Sequence, residues 1–139
     1  PNMYPEDMIA PMRAELANNG YTETRTPEEV TAAINAEGTT FVVVNSVCGC
    51  AAGSARPAAM AVAKSEVKPD RMITVFAGND RDAVEQARKH MLPFPPSSPS
   101  MALFKDGEIV HMVERHHIEG RTAQMIAGNL LGAFEEHCK

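Results

Sequence analysis

Hydrophobic and polar positions change period several times along the chain, and each change marks an element. Over Pro5 to Asn18, Met8, Ile9, Met12 and Leu16 fall on one stripe, with Glu6, Arg13 and Glu15 off it. That is the spacing of an amphipathic helix. Pro11 would break or kink its interior, which gives the regular helix an alternative start at Pro11, and Asn18-Asn19-Gly20 supplies the stop. Thr26-Pro27-Glu28-Glu29 has the form of a capped start. Thr26 can accept from a free N–H, Pro27 loses nothing at the first position, and Glu29 can reach back. Val30, Ala33 and Ile34 then face inward, and Gly38 ends that helix. From Thr40 to Asn45 the helical period is lost to a run of β-branched residues. Val-rich strands are favoured where both faces are buried, so this one reads as central and parallel.

Ala58 to Ser65 is alanine-rich and helical by propensity, Lys68-Pro69-Asp70 is a turn, and Met72 to Ala77 is a second strand. Asn79-Asp80 is placed to cap a helix from Arg81 to Met91, with Val84, Ala87 and Met91 inward. Leu92 to Ser100 is a rigid, proline-heavy loop. Met101 to Lys105, Asp106-Gly107, and Glu108 to Val113 form a hairpin, because Asp-Gly suits a two-residue primed turn. Thr122 caps a last helix in which Ile126, Leu130 and Phe134 recur at four-residue spacing and Cys138 continues the row. The order α, α, β, α, β, α, β, β, α predicts one α/β domain over residues 1–139. Its central mixed sheet is flanked by helices, with right-handed crossovers, an antiparallel hairpin edge and an N-terminal helical extension.

Composition narrows the function classes. A net charge of −5 with no Lys/Arg run argues against nucleic-acid binding. No apolar run approaches the ~20 residues of a membrane span, and the start carries no cationic, apolar secretory signal, so the expected location is cytoplasmic. Three cysteines (Cys48, Cys50 and Cys138) are a poor disulfide framework and suit a reducing compartment, where close pairs are catalytic or bind metal.

Cys48-Gly49-Cys50 sits just past the Val-rich strand, where open α/β sheets place their sites. A helix beginning at Gly49 or Cys50 would favour the Cys48 thiolate, and such positions lower a thiol pKa from ~8.5 to roughly 3.5–7.5. Pro57 divides the options: either one kinked helix begins near Cys50, or a loop runs to Pro57 and a new helix starts there. Gly49 allows the bend that would bring two such cysteines within disulfide reach, and so small a ring would be labile. Two other readings stand beside this one. Zinc typically wants four ligands at wider spacing, and the clustered partners here are His116-His117 with Cys138 far along the chain. Buried structural thiols sit poorly among small Ala and Gly neighbours at a strand end. His90, His111 and His137 read as exposed helix or strand residues, and Ser97, Ser98 and Ser100 lack a nucleophile motif.

The run Val42 to Gly53 with Ala55-Arg56-Pro57-Ala58 strongly resembles the bacilliredoxin family. So do Val75 to Gly78, Pro96 to Leu103, Arg115-His116, Ile118 to Gly120 and His137-Cys138, so the resemblance covers nearly the whole chain. It implies a thioredoxin-like fold and no bound cofactor. Cys48 would take bacillithiol, or a similar low-molecular-weight thiol co-substrate, from mixed disulfides on S-thiolated client proteins. Cys50 would be the neighbouring, resolving thiol. Pro99 and the residues after it look like the segment following the thioredoxin cis-proline, which implies a cis Ser98–Pro99 bond facing Cys48 and places Gly49, Ser98 and Pro99 against substrate. The chain lacks the tryptophan and Cys-x-x-Cys of thioredoxin, which argues against a strong general protein reductase. The resemblance also implies disulfide isomerisation as an alternative, and a non-catalytic thiol sensor or adaptor is the alternative from another class. A homodimer is compatible with the sequence, which shows no interface pattern.

Overall fold

The computed structural model describes residues 2–139. Five strands form one mixed sheet: β1 (Thr22–Glu23), β2 (Thr39–Asn45), β3 (Arg71–Phe76), β4 (Ser100–Lys105) and β5 (Glu108–Val113), in the order β1-β3-β2-β4-β5. β3 pairs parallel with both β1 and β2, while β4 runs antiparallel between β2 and β5. The expected central strand is therefore parallel on one side only, and every residue of β2 is buried. Alternation along the strands divides the core. Phe41, Val43, Met101 and Leu103 face Leu16, Ala59, Leu130 and Phe134 on one side. Val42, Val44, Ile73 and Phe104 face Val30, Ile34, Val84 and Ala87 on the other.

Helices α1 (Glu6–Ala17), α2 (Pro27–Asn35), α3 (Arg56–Val62), α4 (Arg81–His90), α5 (Arg115–Ile118) and α6 (Ala123–His137) complete the fold. The Thr26–Glu29 capping box closes at both ends, with Glu29 N–H to Thr26 Oγ1 at 3.2 Å and Thr26 N–H to Glu29 Oε1 at 3.1 Å. Thr122 accepts from Met125 N–H at 3.1 Å. Asp106 (φ 50°) and Gly107 (φ 86°) both take the positive φ of the primed hairpin turn. His90 is not simply exposed: its Nε2 lies 3.1 Å from Thr31 Oγ1 and 3.3 Å from Gln86 Nε2.

Several expectations are corrected. α1 starts at Glu6 and runs through Pro11 rather than beginning there. The bond Pro11 forfeits would have gone to the carbonyl of Asp7, an exposed residue in the first turn. Arg13, placed on the polar side by the sequence pattern, is buried while Met8 is exposed. Its guanidinium binds Asp80 through two bonds of 2.8 and 2.9 Å, Glu6 at 3.1 Å and Glu23 at 3.2 Å, and lies over the Phe76 ring at 5.2 Å. A planar, forked cation is buried where carboxylates match its geometry. Asp80 thus precedes α4 without capping it by side chain, its carboxylate being occupied by Arg13 and the Phe76 N–H. Asn79 bonds Tyr4 and Glu6 instead. The two-residue edge strand β1 and the single-turn α5 carry no periodic signature and were not legible as elements.

Candidate thiol site

β2 ends at Asn45, and three residues later the chain delivers Cys48 to the mouth of a helix. The N–H groups of Ala51 and Ala52 both donate to the Cys48 carbonyl, at 3.0 and 3.1 Å, so helical structure begins directly after Cys48 and runs unbroken over residues 49–62. Of the two options left open by Pro57, the single helix is the one formed. Pro57 is accommodated by a π-helical turn over Ala51–Ala55, in which Arg56 N–H donates to the Ala51 carbonyl five residues back. The wider turn draws carbonyls away from a pyrrolidine ring that cannot bond them. Gly49 is not in the left-handed region, and a Cβ there would meet nothing within 4 Å. What Gly49 contributes is open surface beside the sulfurs.

Cys48 and Cys50 are half-buried free thiols with Sγ atoms 2.6 Å apart. Burial opposes ionisation of Cys48, but hydrogen bonds from the Cys50 thiol, the Ala51 N–H and the Ser46 hydroxyl, with the charge of Arg115, carry its pKa below the ordinary thiol value. Cys50 moves the opposite way: burial, the bond to Cys48, the Cys48 charge and Glu119 push it up, against Arg115. The two thiols titrate as one coupled pair, with Cys48 shifted down and Cys50 shifted up.

The loop that presents Cys48 is held from beneath. Arg56, only 3% exposed, donates to the Ser46 carbonyl at 2.7 Å, to Asn45 Oδ1 at 3.1 Å and to Glu15 of α1 at 3.1 Å. Asn45 also accepts from Ser46 N–H at 2.8 Å and donates to the Met12 carbonyl at 3.2 Å. Across the sheet, the Ser98–Pro99 bond is cis, as expected, one residue past the Val44–Ser100 pair of the β2–β4 ladder. Leu92–Pro93 is cis as well. Arg115 lies over this segment, with its N–H on Ser97 Oγ at 3.3 Å and its guanidinium on the Ser98 carbonyl at 3.1 Å, and it is paired with Glu119. Sequence reading assigned no role to Asn45, Arg56, Arg115 or Glu119. The available signals were a polar Asn closing a Val run and the place of Arg56, Arg115 and Glu119 within the blocks that carry the family resemblance.

Cys138 is not part of the site. It follows α6, and its thiol, pushed up by burial, senses Thr39, Asp70 and Lys105, at the opposite end of β2. Seven strand residues at ~3.3 Å each put about 20 Å between it and the pair. Among the described residues, Glu114, His116 and His117 converge at the surface, with neither thiol among them. No helix there is long and apolar enough to cross a membrane.

The sequence matches the family described as Disulphide isomerase over residues 4–138. It is 56% identical over 134 residues to a protein of Cytophaga hutchinsonii named bacilliredoxin, covering 96% of this chain and 99% of that one. It is 53% identical over 138 residues to a bacilliredoxin of Salinibacter ruber, covering 97% and 81%. Among solved structures it resembles the Malassezia sympodialis thioredoxin (TM-score 0.62, 11% identity, 87% and 93% covered). Mitochondrial thioredoxin 3 of Saccharomyces cerevisiae is similar too (TM-score 0.60, 12% identity, 88% and 98% covered). At such identities these two structures establish the thioredoxin fold and nothing finer.

Proposed function

This chain belongs to the bacilliredoxin family and is a thiol–disulfide oxidoreductase, and from that premise we propose that it strips bacillithiol, or a similar small thiol, from mixed disulfides on client proteins. The Cys48 thiolate attacks the small-thiol sulfur, a Cys48–small-thiol disulfide forms, and the client sulfur leaves as thiolate. Cys50, after losing its proton, attacks the Cys48 sulfur, forming a Cys48–Cys50 disulfide and expelling the small thiol as thiolate; two further small thiols, oxidised to their symmetric disulfide, reduce that bond again. Alternatively a second small thiol attacks the adduct and leaves as the symmetric small-thiol disulfide, which restores reduced Cys48. No bound cofactor enters either route, and cytoplasmic S-thiolated proteins are the proposed partners.

The observation that carries this reading is the pair of free sulfurs 2.6 Å apart whose environments favour thiolate on one and thiol on the other. Such asymmetry separates an attacking group from a resolving one. The test is intact-mass analysis of a bacillithiol-modified client incubated with the reduced protein. The client loses the adduct, Cys50→Ala retains it on Cys48, and Cys48→Ala leaves the client untouched. The family description favours a second reading, disulfide isomerisation. It takes over if clients keep the adduct while scrambled disulfides are reshuffled. Loss of neither leaves a sensor role.

A further inference from the structure

We propose that the cleft between α4 and the proline-rich loop after it binds a small organic acid, whose carboxylate accepts from the Arg88 guanidinium while its apolar body lies against Leu92 and Phe94. The cleft has a volume of about 510 Å³, within the range of small-molecule sites. One wall is the face of α4 that carries Arg81, Val84, Glu85, Arg88 and Lys89, recurring at three- and four-residue intervals. The chain leaves α4 at Met91, and Phe94 N–H donates back to the Met91 carbonyl at 3.0 Å. Leu92 and Phe94 thereby form the facing wall. Met3, whose N–H donates to the Gly78 carbonyl at 3.0 Å, closes the third side. Met3 and Leu92, 64% and 66% exposed, are the most exposed large apolar side chains among the described residues.

Arg88 points to the ligand. Among the described residues, its Nε is the one buried side-chain nitrogen or oxygen without a hydrogen-bond partner. An unmatched buried donor costs stability, more so when it is charged, and native chains match nearly all of theirs. Burial pushes the Arg88 guanidinium down, yet an arginine stays charged and keeps its five donors. A cation in the last turn of α4 complements the helix dipole, but Lys89 and His90 stand in the same turn, and the dipole requires no enclosed Nε. Lys89 is engaged by Glu85 at 3.7 Å, which leaves Arg88 to meet a ligand. In a chain of net charge −5, the cleft carries three cations and one carboxylate. A forked donor between apolar walls matches a planar carboxylate on an apolar body. Three walls suit a compact molecule rather than a chain passing through.

The site is separate from the thiol exchange, and its test uses no thiol reagent. Phenylbutyrate, with phenylbutanol as its uncharged counterpart, is titrated into the intact isotope-labelled chain while NMR follows the Arg88 Nε–H and the α4 amides. Phenylbutyrate is expected to shift the Arg88 Nε–H and to bind at least about 10-fold more tightly than phenylbutanol, the factor that a hydrogen bond to a charged donor supplies. Arg88→Met, which keeps an apolar stem and removes the fork, should bring the two affinities together, and Arg88→Lys should keep part of the preference. A merely structural arginine would alter melting temperature and give the native chain no preference to lose. The proposal is overturned if the Nε–H does not move, if acid and alcohol bind alike to the native chain, or if the preference survives in Arg88→Met. The first two readouts need no variant, so they decide the matter even if Arg88→Met does not fold. A peptide of Phe and Glu residues that shifts the Nε–H where phenylbutyrate does not would make the occupant a protein segment and overturn the proposal as well.

Discussion

The Cys48–Cys50 contact makes the two sulfurs one titrating unit. Because the contact with Cys50 is among the interactions that lower the Cys48 pKa, replacing Cys50 tests the source of that shift. Cys50→Ala should raise the pH midpoint of Cys48 alkylation, and Cys50→Ser, which keeps a donor, should raise it less. For stability the sign follows from the lowered pKa: ionised Cys48 favours the folded state above the ordinary thiol pKa, and that increment disappears as pH falls through the folded value. Cys50, shifted upward, opposes folding once it too ionises. Cysteine spacing revealed the pair. It gave no role to Arg115 or Glu119, which stood in the resembling blocks but reach the Ser97–Ser98 segment from a separate element.

At the scale of elements, the helix over residues 49–62 shows what a proline rule leaves open. Pro57 was legible as a disturbance, and the π-helical turn that absorbs it was not, since the turn depends on where Ala51 and Arg56 find each other. Arg56 then points into the loop rather than to solvent. Arg56→Leu should lower stability by about 2–4 kcal/mol in urea unfolding, because hydrogen bonds from a charged donor contribute roughly 1.5–3 kcal/mol each. It should also slow Cys48 labelling, since Ser46 loses its anchor. The hairpin turn, by contrast, was legible to the residue, because Asp106 and Gly107 state their geometry locally. Its first strand begins one residue early, at Ser100, and the ladder shifts register between Leu103 and Phe104. Gly107→Ala places a Cβ 3.2 Å from Asn35 Oδ1 at a positive φ, and should cost about 1 kcal/mol. At the end of the sheet remote from Cys48, it should leave alkylation unaltered.

At the scale of the whole molecule, strand alternation and helix periodicity were enough to predict the layers, while the fastening of α1 to them was not. A stripe analysis assigns Arg to water, yet Arg13 joins α1, β1 and the entrance of α4 through Glu6, Glu23 and Asp80. Arg13→Met should lose about 3–5 kcal/mol, because it strands the buried Asp80 carboxylate. The Arg13 and Asn79 bonds hold the Glu6 carboxyl below its usual range, so their stabilisation is present above the unfolded carboxylate pKa and is lost as pH falls through the folded value. Acid titration of the melting temperature should show this loss in the native chain and a weaker one in Arg13→Met.

The same helix reaches the reactive loop twice more, through the Met12 carbonyl on Asn45 and through Glu15 on Arg56. Detaching α1 would therefore remove two of the bonds that hold Asn45 and Arg56 beneath the Cys48 loop. The N-terminal helix is in this sense a clamp on the thiol loop, joined to it across more than thirty residues of sequence.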